Sequence, residues 1–441
     1  MKKITALLFF LFIGLSITAQ GKKWTLKECV QYALENNISV KQSALDIELA
    51  EIEMRDANGN FLPSLNGSAS ISKSTGLSFN PTTGNAETTT LLSASGGLSA
   101  GYTIFDGLRN FRQVQRAKIS KLAGQYRLTK MTDDITLFVA NGYLQILLNR
   151  ANLEAVLAQN EVTLQQIERT NQLVESGVLP RGDLLEIKAA NSSELQQIAI
   201  AENALTISKI SLAQLLLVTD YANFDIADEE FAIIDEGISA MDVSEIINAA
   251  KENRSEVKIA EQNLELSKKD LQIARGAYYP TLSAFFGYDT RFADTDPLDF
   301  IDQLYTNDGI NYGLRLNVPF LNGLSVRNNV QRSKIGLLRN EYLLEQAKLD
   351  LESNVYQAYV DTKGALKSYE AAQAALESQE LAFQYAKDRY DVGLTNAFDF
   401  SQSKLRYDNT QIELNRAKFE YIFKLKVLEL YFGIPATELK F

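Results

Sequence analysis

The sequence predicts a mixed α/β membrane protein: long helices forming a coiled-coil α-barrel, plus four strands that each chain contributes to a transmembrane β-barrel, all within an internal twofold repeat. Three observations predict this. First, ESGVLPRGDLLEIK (175–188) and YDVGLTNAFDFSQSK (390–404) place Gly393 and Asp399 each 216 residues after Gly177 and Asp183; a fixed offset marks internal duplication. Second, four segments alternate apolar and polar residues with period two, the pattern of strands with lipid on one face and water on the other. Third, beyond the N-terminal stretch every long apolar pattern is broken by charges within a few residues, so a membrane would have to be crossed by strands.

The chain opens on MKKITALLFFLFIGLSITAQ. Lys2 and Lys3, the apolar run Ala6 to Leu15 and the small-residue site Ile17-Thr18-Ala19 read as a signal peptide over 1–19. An uncleaved anchor is the alternative, but its apolar core is shorter than the ~20 residues a spanning helix needs. Across 441 residues there are no His, one Cys and a net charge of -11. The missing His excludes Ser-His and Cys-His nucleophiles and leaves zinc and copper without their usual ligands. No metal and no cofactor are expected. The acidic balance speaks against a nucleic-acid partner. Cys29 lies past the cleavage site in a helical pattern, so it is no lipid acceptor, and a single Cys leaves no internal disulfide.

The first repeat occupies 20–218. Helices are expected over 26–61, 108–176 and 183–218, strands over 64–105 and a helix-reversing tip at 177–182. Residues 219–241, acidic, link the halves. The second repeat, 242–433, carries helices over 243–278, 324–391 and 397–431, strands over 281–320 and a tip at 392–396. A short tail, 434–441, follows. Residues 24–70 align with 241–287 so that Pro63 falls on Pro280, and QRAK (115–118) matches QRSK (331–334). Each long helix holds roughly 68 residues, about 100 Å at 1.5 Å per residue, and two shorter helices stacked end to end match it.

Coiled-coil spacing marks the long helices near the tips. Tyr369, Ala372, Leu376, Gln379, Phe383, Ala386 and Tyr390 follow steps of three and four. Leu153, Leu157, Leu164, Ile167 and Val174 fit the same register, with Asn160 and Asn171 in the gaps. An ordinary antiparallel hairpin would show the same stripe.

Among the strands, Leu92, Ala94, Gly96, Leu98, Ala100, Tyr102 and Ile104 alternate with Ser93, Ser95, Gly97, Ser99, Gly101 and Thr103. Ile310, Tyr312, Leu314, Leu316, Val318 and Phe320 alternate with Asn311, Gly313, Arg315 and Asn317. The segments after Pro63 and Pro280 do likewise. A soluble half-buried sheet alternates in the same way. The polar stretches 72–90 and 289–309 read as loops joining each strand pair. Four strands in lipid leave two edges with around five unpaired backbone groups each, on the order of 10 kcal/mol per edge. Further copies must therefore close the sheet. Three would supply about twelve strands, enough for a channel, but the pattern alone does not fix the number.

With two copies of helix–strand–strand–helix–helix, the Pro-marked strand entries and the tips Gly177-Val178-Leu179 and Val392-Gly393-Leu394, the chain resembles the outer membrane efflux protein family, the TolC-like channels, over nearly all its length after 1–19. The resemblance implies a homotrimer in outer-membrane lipid, a twelve-strand barrel continuous with a periplasmic helical extension, and Pro63 and Pro280 at the helix-to-barrel junction. It implies an efflux duct, not an enzyme, passing substrates passively from the periplasm to the exterior for an inner-membrane transporter joined by a periplasmic adaptor. It implies adaptor docking at the tips, through Gly177, Val178, Leu179, Arg389, Tyr390, Gly393 and Leu394. Asp183, Glu186 and Asp399 are then candidates for a periplasmic gate of acidic residues. Asp183 and Glu186 also have the spacing of a capping box, and Asp399 sits in an equivalent first turn, so helix capping is the competing role. Gln402 and Thr395 stand where the family pattern has a second acid and a basic residue.

Two other readings stay open. One is a periplasmic coiled-coil scaffold or adaptor with a small soluble sheet. The other is a carboxylate enzyme such as a glycosidase, which would need a concave domain to hold paired acids.

Overall fold

The computed structural model describes residues 22–79, 84–229, 233–234 and 237–439. The expected signal peptide lies outside them, as do parts of the 72–90 loop, the 219–241 linker and the tail. In chain order the elements are β1 (Lys23–Trp24), α1 (Leu26–Asn36), α2 (Ile38–Gly59), β2 (Ser64–Phe79), β3 (Ala86–Phe105), α3 (Arg109–Glu175), α4 (Arg181–Leu215), β4 (Asp225–Ile226), α5 (Val243–Asn253), α6 (Ser255–Gly276), β5 (Thr281–Ala293), α7 (Phe300–Thr306), β6 (Gly309–Asn317), α8 (Ser325–Asp391) and α9 (Ala397–Phe432). They fall into two compact units. The first gathers the chain up to Ala44, Leu128–Glu256 and the chain from Lys348 onward. The second gathers Leu45–Arg127 and Val257–Ala347.

The helices expected to run unbroken over 26–61 and 243–278 are each interrupted. Asn37 (φ −57°, ψ 133°) and Arg254 (φ −70°, ψ 134°) leave the helical region. The Asn37 side-chain oxygen accepts from the Ser39 N–H at 2.9 Å, competing with the helix ladder as Asn does. Arg254 is held by Asp133 (3.3 Å) and Glu256 (3.0 Å). The apolar stripe continues on both sides of each break, so periodicity hides it.

The core of the first unit surrounds Tyr143, with Cys29, Ala33, Ile146, Leu212, Leu216 and Ile226 fully buried. β1 and β4 pair in parallel here, Trp24 opposite Ile226, so part of the 219–241 segment is strand. The Tyr143 hydroxyl donates to the Ala227 carbonyl (3.1 Å). Burial pushes the Cys29 thiol up to about 12, which leaves it unreactive.

The stripe on α8 is placed as the spacing expects: none of Tyr369, Ala372, Leu376, Gln379, Phe383, Ala386 and Tyr390 is exposed. On α3 the stripe is placed only in part. Leu153, Asn160, Ile167, Asn171 and Val174 are not exposed, but Leu157 and Leu164 are 46% and 52% exposed, while Gln159, Thr163, Gln166 and Thr170, outside the expected stripe, are buried. Side-chain pairing explains much of this polar burial. Thr163 donates to Glu194 (2.7 Å), Asn160 to Asn191 (2.9 Å), and Thr170 shares a bond with Tyr390 (3.1 Å). Paired in this way, Asn160, Thr163 and Thr170 are buried at little cost, whereas the side-chain amide nitrogens of Gln159 and Gln166 are buried without a hydrogen-bond partner.

In the second unit the sheet has the order β2-β3-β5-β6, antiparallel throughout. Pairing carries the alternation across the sheet. Leu65, Ala100, Phe286 and Tyr312 form one apolar row, and Gly67, Leu98, Tyr288 and Ile310 the next. The opposite face carries Asn66, Ser99, Gly287 and Asn311, then Ser68, Gly97, Asp289 and Gly309. The apolar face is open: Leu65, Ile71, Tyr312 and Leu314 are each more than 65% exposed. Among the described residues β2 and β6 have a strand neighbour on one side only.

Both expected loops are partly regular. Strand pairing continues to Phe79 and resumes at Ala86, because Ser and Thr pair across the hairpin: Ser70 with Ser95 (2.8 Å), Ser72 with Ser93 (2.9 Å) and Thr75 with Thr90 (3.0 Å). Within 289–309, β5 extends to Ala293 and α7 forms. β6 stops at Asn317 rather than 320, since Pro319 has no N–H for the ladder.

Pro63 and Pro280 stand immediately before β2 and β5. Nearby, Gly107 (φ +76°) passes so close to α6 that a Cβ would lie 2.2 Å from the Gly276 carbonyl oxygen. The same Gly-Leu pair recurs at Gly323-Leu324, and all four residues have positive φ.

Candidate functional site

The candidate site is the pair of helix reversals in the first unit and the cleft behind them. α3 and α8 end alike. Gly177 (φ +77°) and Gly393 (φ +74°) take the left-handed conformation. The Val178 N–H donates to Leu173 and the Gly177 N–H to Val174 (2.9 and 3.0 Å); Leu394 donates to Arg389 and Gly393 to Tyr390 (2.8 and 2.9 Å). These are Schellman closures, which satisfy the last helical carbonyls and favour Gly. A Cβ on either Gly would meet nothing within 4 Å, so backbone conformation alone asks for Gly there.

The expected capping box at Asp183 and Glu186 does not form. α4 begins two residues earlier, with Pro180 at the N-cap and no side-chain cap bond. Asp183 is therefore the third helical residue. Asp399 is the third residue of α9, whose cap is Asn396, accepting from the Asp399 N–H at 2.9 Å. The Asp399 carboxylate in turn accepts from the Thr395 hydroxyl (3.3 Å). Both acids face the positive end of a helix, which stabilises them there. Glu186 is exposed beside the cleft.

The predicted docking residues divide. Val178 and Leu394 are 60% and 70% exposed, joined by Val392 and Phe398; Gly177, Arg389 and Gly393 are exposed, and Leu179 is half-buried. Tyr390 is fully buried with Ile187, Ala397 and Phe400. Its ring stacks on Phe400 (5.0 Å, 22°), and burial, aided by the charges of Asp183 and Asp391, pushes its hydroxyl up. It supports the tip from inside and offers no docking surface.

Behind the tips, α4 and α9 border a cleft of ≈ 260 Å³ lined in part by Glu186, Phe398 and Gln402. Its floor is ionic. Lys404 meets Glu194 at 2.8 Å and Asp408 at 2.9 Å, with side chains only 6%, 13% and 11% exposed. Burial pushes Asp408 up to about 6 against the pull of Lys404, and Glu194 adds to the rise. This trio is not legible in the sequence: Lys404 and Asp408 show an i,i+4 spacing, but Glu194 is 210 residues away from Lys404. Among the described residues no group of three His, Cys, Asp or Glu could hold a metal, and no helix is long and apolar enough to cross a membrane.

The sequence model described as outer membrane efflux protein matches residues 29–216 and again 246–433. The chain belongs to the outer membrane efflux protein family. This efflux-family chain is an outer-membrane protein with a periplasmic helical domain. It is 23% identical over 439 residues to outer membrane protein TolC of Escherichia coli (strain K12), covering 96% of this chain and 84% of that protein. It is 24% identical over 320 residues to outer membrane protein TolC of Vibrio cholerae, covering 71% and 70%. Its fold matches a crystal structure of CusC with a TM-score of 0.78 at 19% identity, covering 93% and 92% of the two chains. The Campylobacter jejuni CmeC outer membrane channel matches with a TM-score of 0.78 at 19% identity, covering 92% and 85%.

Proposed function

We propose that three copies of this efflux-family chain form an exit duct through which substrates pass passively from the periplasm to the exterior. The observation that carries the reading is the open sheet. Its apolar face suits lipid, but the unpaired backbone groups along the outer edges of β2 and β6 would cost on the order of 10 kcal/mol per edge there. That rivals the ~5–15 kcal/mol stability of a whole domain, so an isolated chain is not a stable membrane species. Three copies bring twelve strands and turn β2 and β6 into paired strands. Leu157 and Leu164, exposed on α3, then meet neighbouring copies. The twofold repeat is supported by the family match at 29–216 and 246–433 and by helix breaks at Asn37 and Arg254, which coincide in the alignment.

The duct does no covalent chemistry and needs no cofactor. Asp183, Glu186 and Asp399 supply carboxylates at the mouth of the helical barrel, favouring cations as acidic rings do. The exposed Val178, Val392 and Leu394 offer an apolar surface to a periplasmic adaptor, which links the duct to an inner-membrane transporter. The test is reconstitution. The duct reading expects an SDS-resistant oligomer and discrete, cation-preferring conductance in planar bilayers. A well-folded monomer that stays soluble in detergent-free buffer overturns it in favour of a periplasmic scaffold.

A further inference from the structure

Beyond Asp289, β5 continues without β6, which begins opposite it at Gly309. α7 serves this stretch of open edge. Gln303 is completely buried. Its side-chain oxygen accepts from the Ala293 N–H (2.9 Å), and its amide donates to the carbonyls of Ala293 (3.1 Å) and Leu298 (2.7 Å). Asn307 donates to the Arg291 carbonyl (3.3 Å). Side chains thus meet backbone groups that no strand among the described residues reaches.

The way α7 leans is informative. The Thr290 hydroxyl donates to the Leu304 carbonyl (2.7 Å), and Phe292 meets Phe300 edge-on (5.0 Å, 63°). By the alternation of β5, Thr290 and Phe292 share the face of Phe286 and Tyr288, which is the apolar face. α7 therefore adjoins the surface that carries Leu65, Ile71 and Tyr312. Its outer side shows Ile301 and Tyr305, four residues apart and 59% and 80% exposed, and Leu298, just before the helix, is 43% exposed. Ile301 and Tyr305 lie on one helical face, with Asp299 at the N-cap and Asp302 beside them.

We propose that α7 is an interfacial anchor: a short amphipathic helix in the lipid headgroup layer on the outside of the barrel, with Ile301 and Tyr305 against lipid. Their helical face continues the strand face that faces lipid, through the Phe292–Phe300 contact. At seven residues, about 10 Å, it is too short to span but long enough to lie in the interface plane. Tyr at the rim suits that boundary, since its ring is apolar and its hydroxyl stays wet. The inference rests on the barrel reading above.

The test is site-directed fluorescence in a Trp24→Phe background, which removes the single native Trp. Tyr305→Trp, Leu314→Trp on the apolar strand face and Asn311→Trp on the polar face are each reconstituted in brominated-lipid vesicles. The expected result is a loss of emission at position 305 comparable to that at 314, with 311 far less affected. Position 305 unquenched while 314 is quenched overturns the anchor and leaves the barrel standing. Neither position quenched overturns the barrel reading itself. A disulfide between copies through Tyr305→Cys and Leu77→Cys in a Cys29→Ala chain, without quenching at 305, assigns that helical face to the seam between copies and also overturns the anchor.

Discussion

Replacing Asp408 with Asn tests the ionic floor of the tip cleft. Two carboxylates, Glu194 and Asp408, share the Lys404 ammonium at 2.8 and 2.9 Å, so one negative charge is in excess. Asn160 and Thr163 on α3 donate to Glu194; Tyr407 is the other titratable group near Asp408. Burial raises Asp408 from 3.8 to about 6. A carboxyl raised in the folded state contributes stability that is full below its ordinary value and is lost as pH rises through about 6. The shift corresponds to on the order of 2–3 kcal/mol at neutral pH. Asn keeps an acceptor for Lys404 and removes the excess charge. At pH 7.5 the Asp408→Asn tip should therefore open less often, by about 2 kcal/mol, or roughly 30-fold in amide protection. Hydrogen exchange of peptides covering 190–197 and 400–408, corrected for intrinsic rates, reads this directly. From pH 7.5 to 5 the parent chain should gain protection while the variant stays nearly flat. A variant that opens more often at pH 7.5, or a parent without pH dependence in this window, would show that Asp408 carries no excess charge cost.

Gly107→Ala forces a Cβ to 2.2 Å from the Gly276 carbonyl oxygen at positive φ, at about 2–5 kcal/mol; the SDS-resistant oligomer should dissociate at lower temperature on heating gels. Tyr390→Phe loses the bond to Thr170, about 1 kcal/mol, whereas Tyr390→Ala empties the tip core at about 3–5 kcal/mol, both measurable as exchange protection at the tips. Asp183→Asn, Glu186→Gln and Asp399→Asn combined should raise single-channel conductance and weaken cation preference; unchanged traces would assign these acids to helix termini alone. Gly393→Trp places a large side chain on an open surface, so export should fail while oligomer assembly persists.

Much of the fold was legible because its signals are local. Steps of three and four marked the α8 seam, period two marked the strand faces, and Gly before a polar helix start marked both tips. What was not legible depended on partners remote in sequence. Thr163 and Thr170 on α3 are polar, and their burial turns on Glu194 and Tyr390, so a hydrophobic register chose Leu157 and Leu164 instead. Ser and Thr in 72–90 read as loop because their cross-strand bonds exist only once the hairpin pairs. Asp183 resembled an N-cap, but Pro180 starts the helix sooner. Tyr390 sat next to exposed residues in sequence and proved to be core. Asn396, with Asp399 three residues on, was a cap that spacing alone could have found. The Gly-Leu pair at 107–108 and 323–324, which marks each entry from strand to long helix, was equally visible.

Closure of the sheet requires that β2 of one copy pair with β6 of another. Within a chain these strands are separated by β3 and β5, three spacings of about 4.8 Å, too far for a disulfide, whose Cα atoms lie at most about 7 Å apart. In a Cys29→Ala chain, Asn66→Cys is combined in turn with Cys at Asn311, Gly313, Arg315 and Asn317, then oxidised in outer membranes. At least one pair should give covalent dimers and a closed three-chain species. If every pair yields only single chains from membranes in which the protein is folded, the sheet is completed in some other way and the account is wrong.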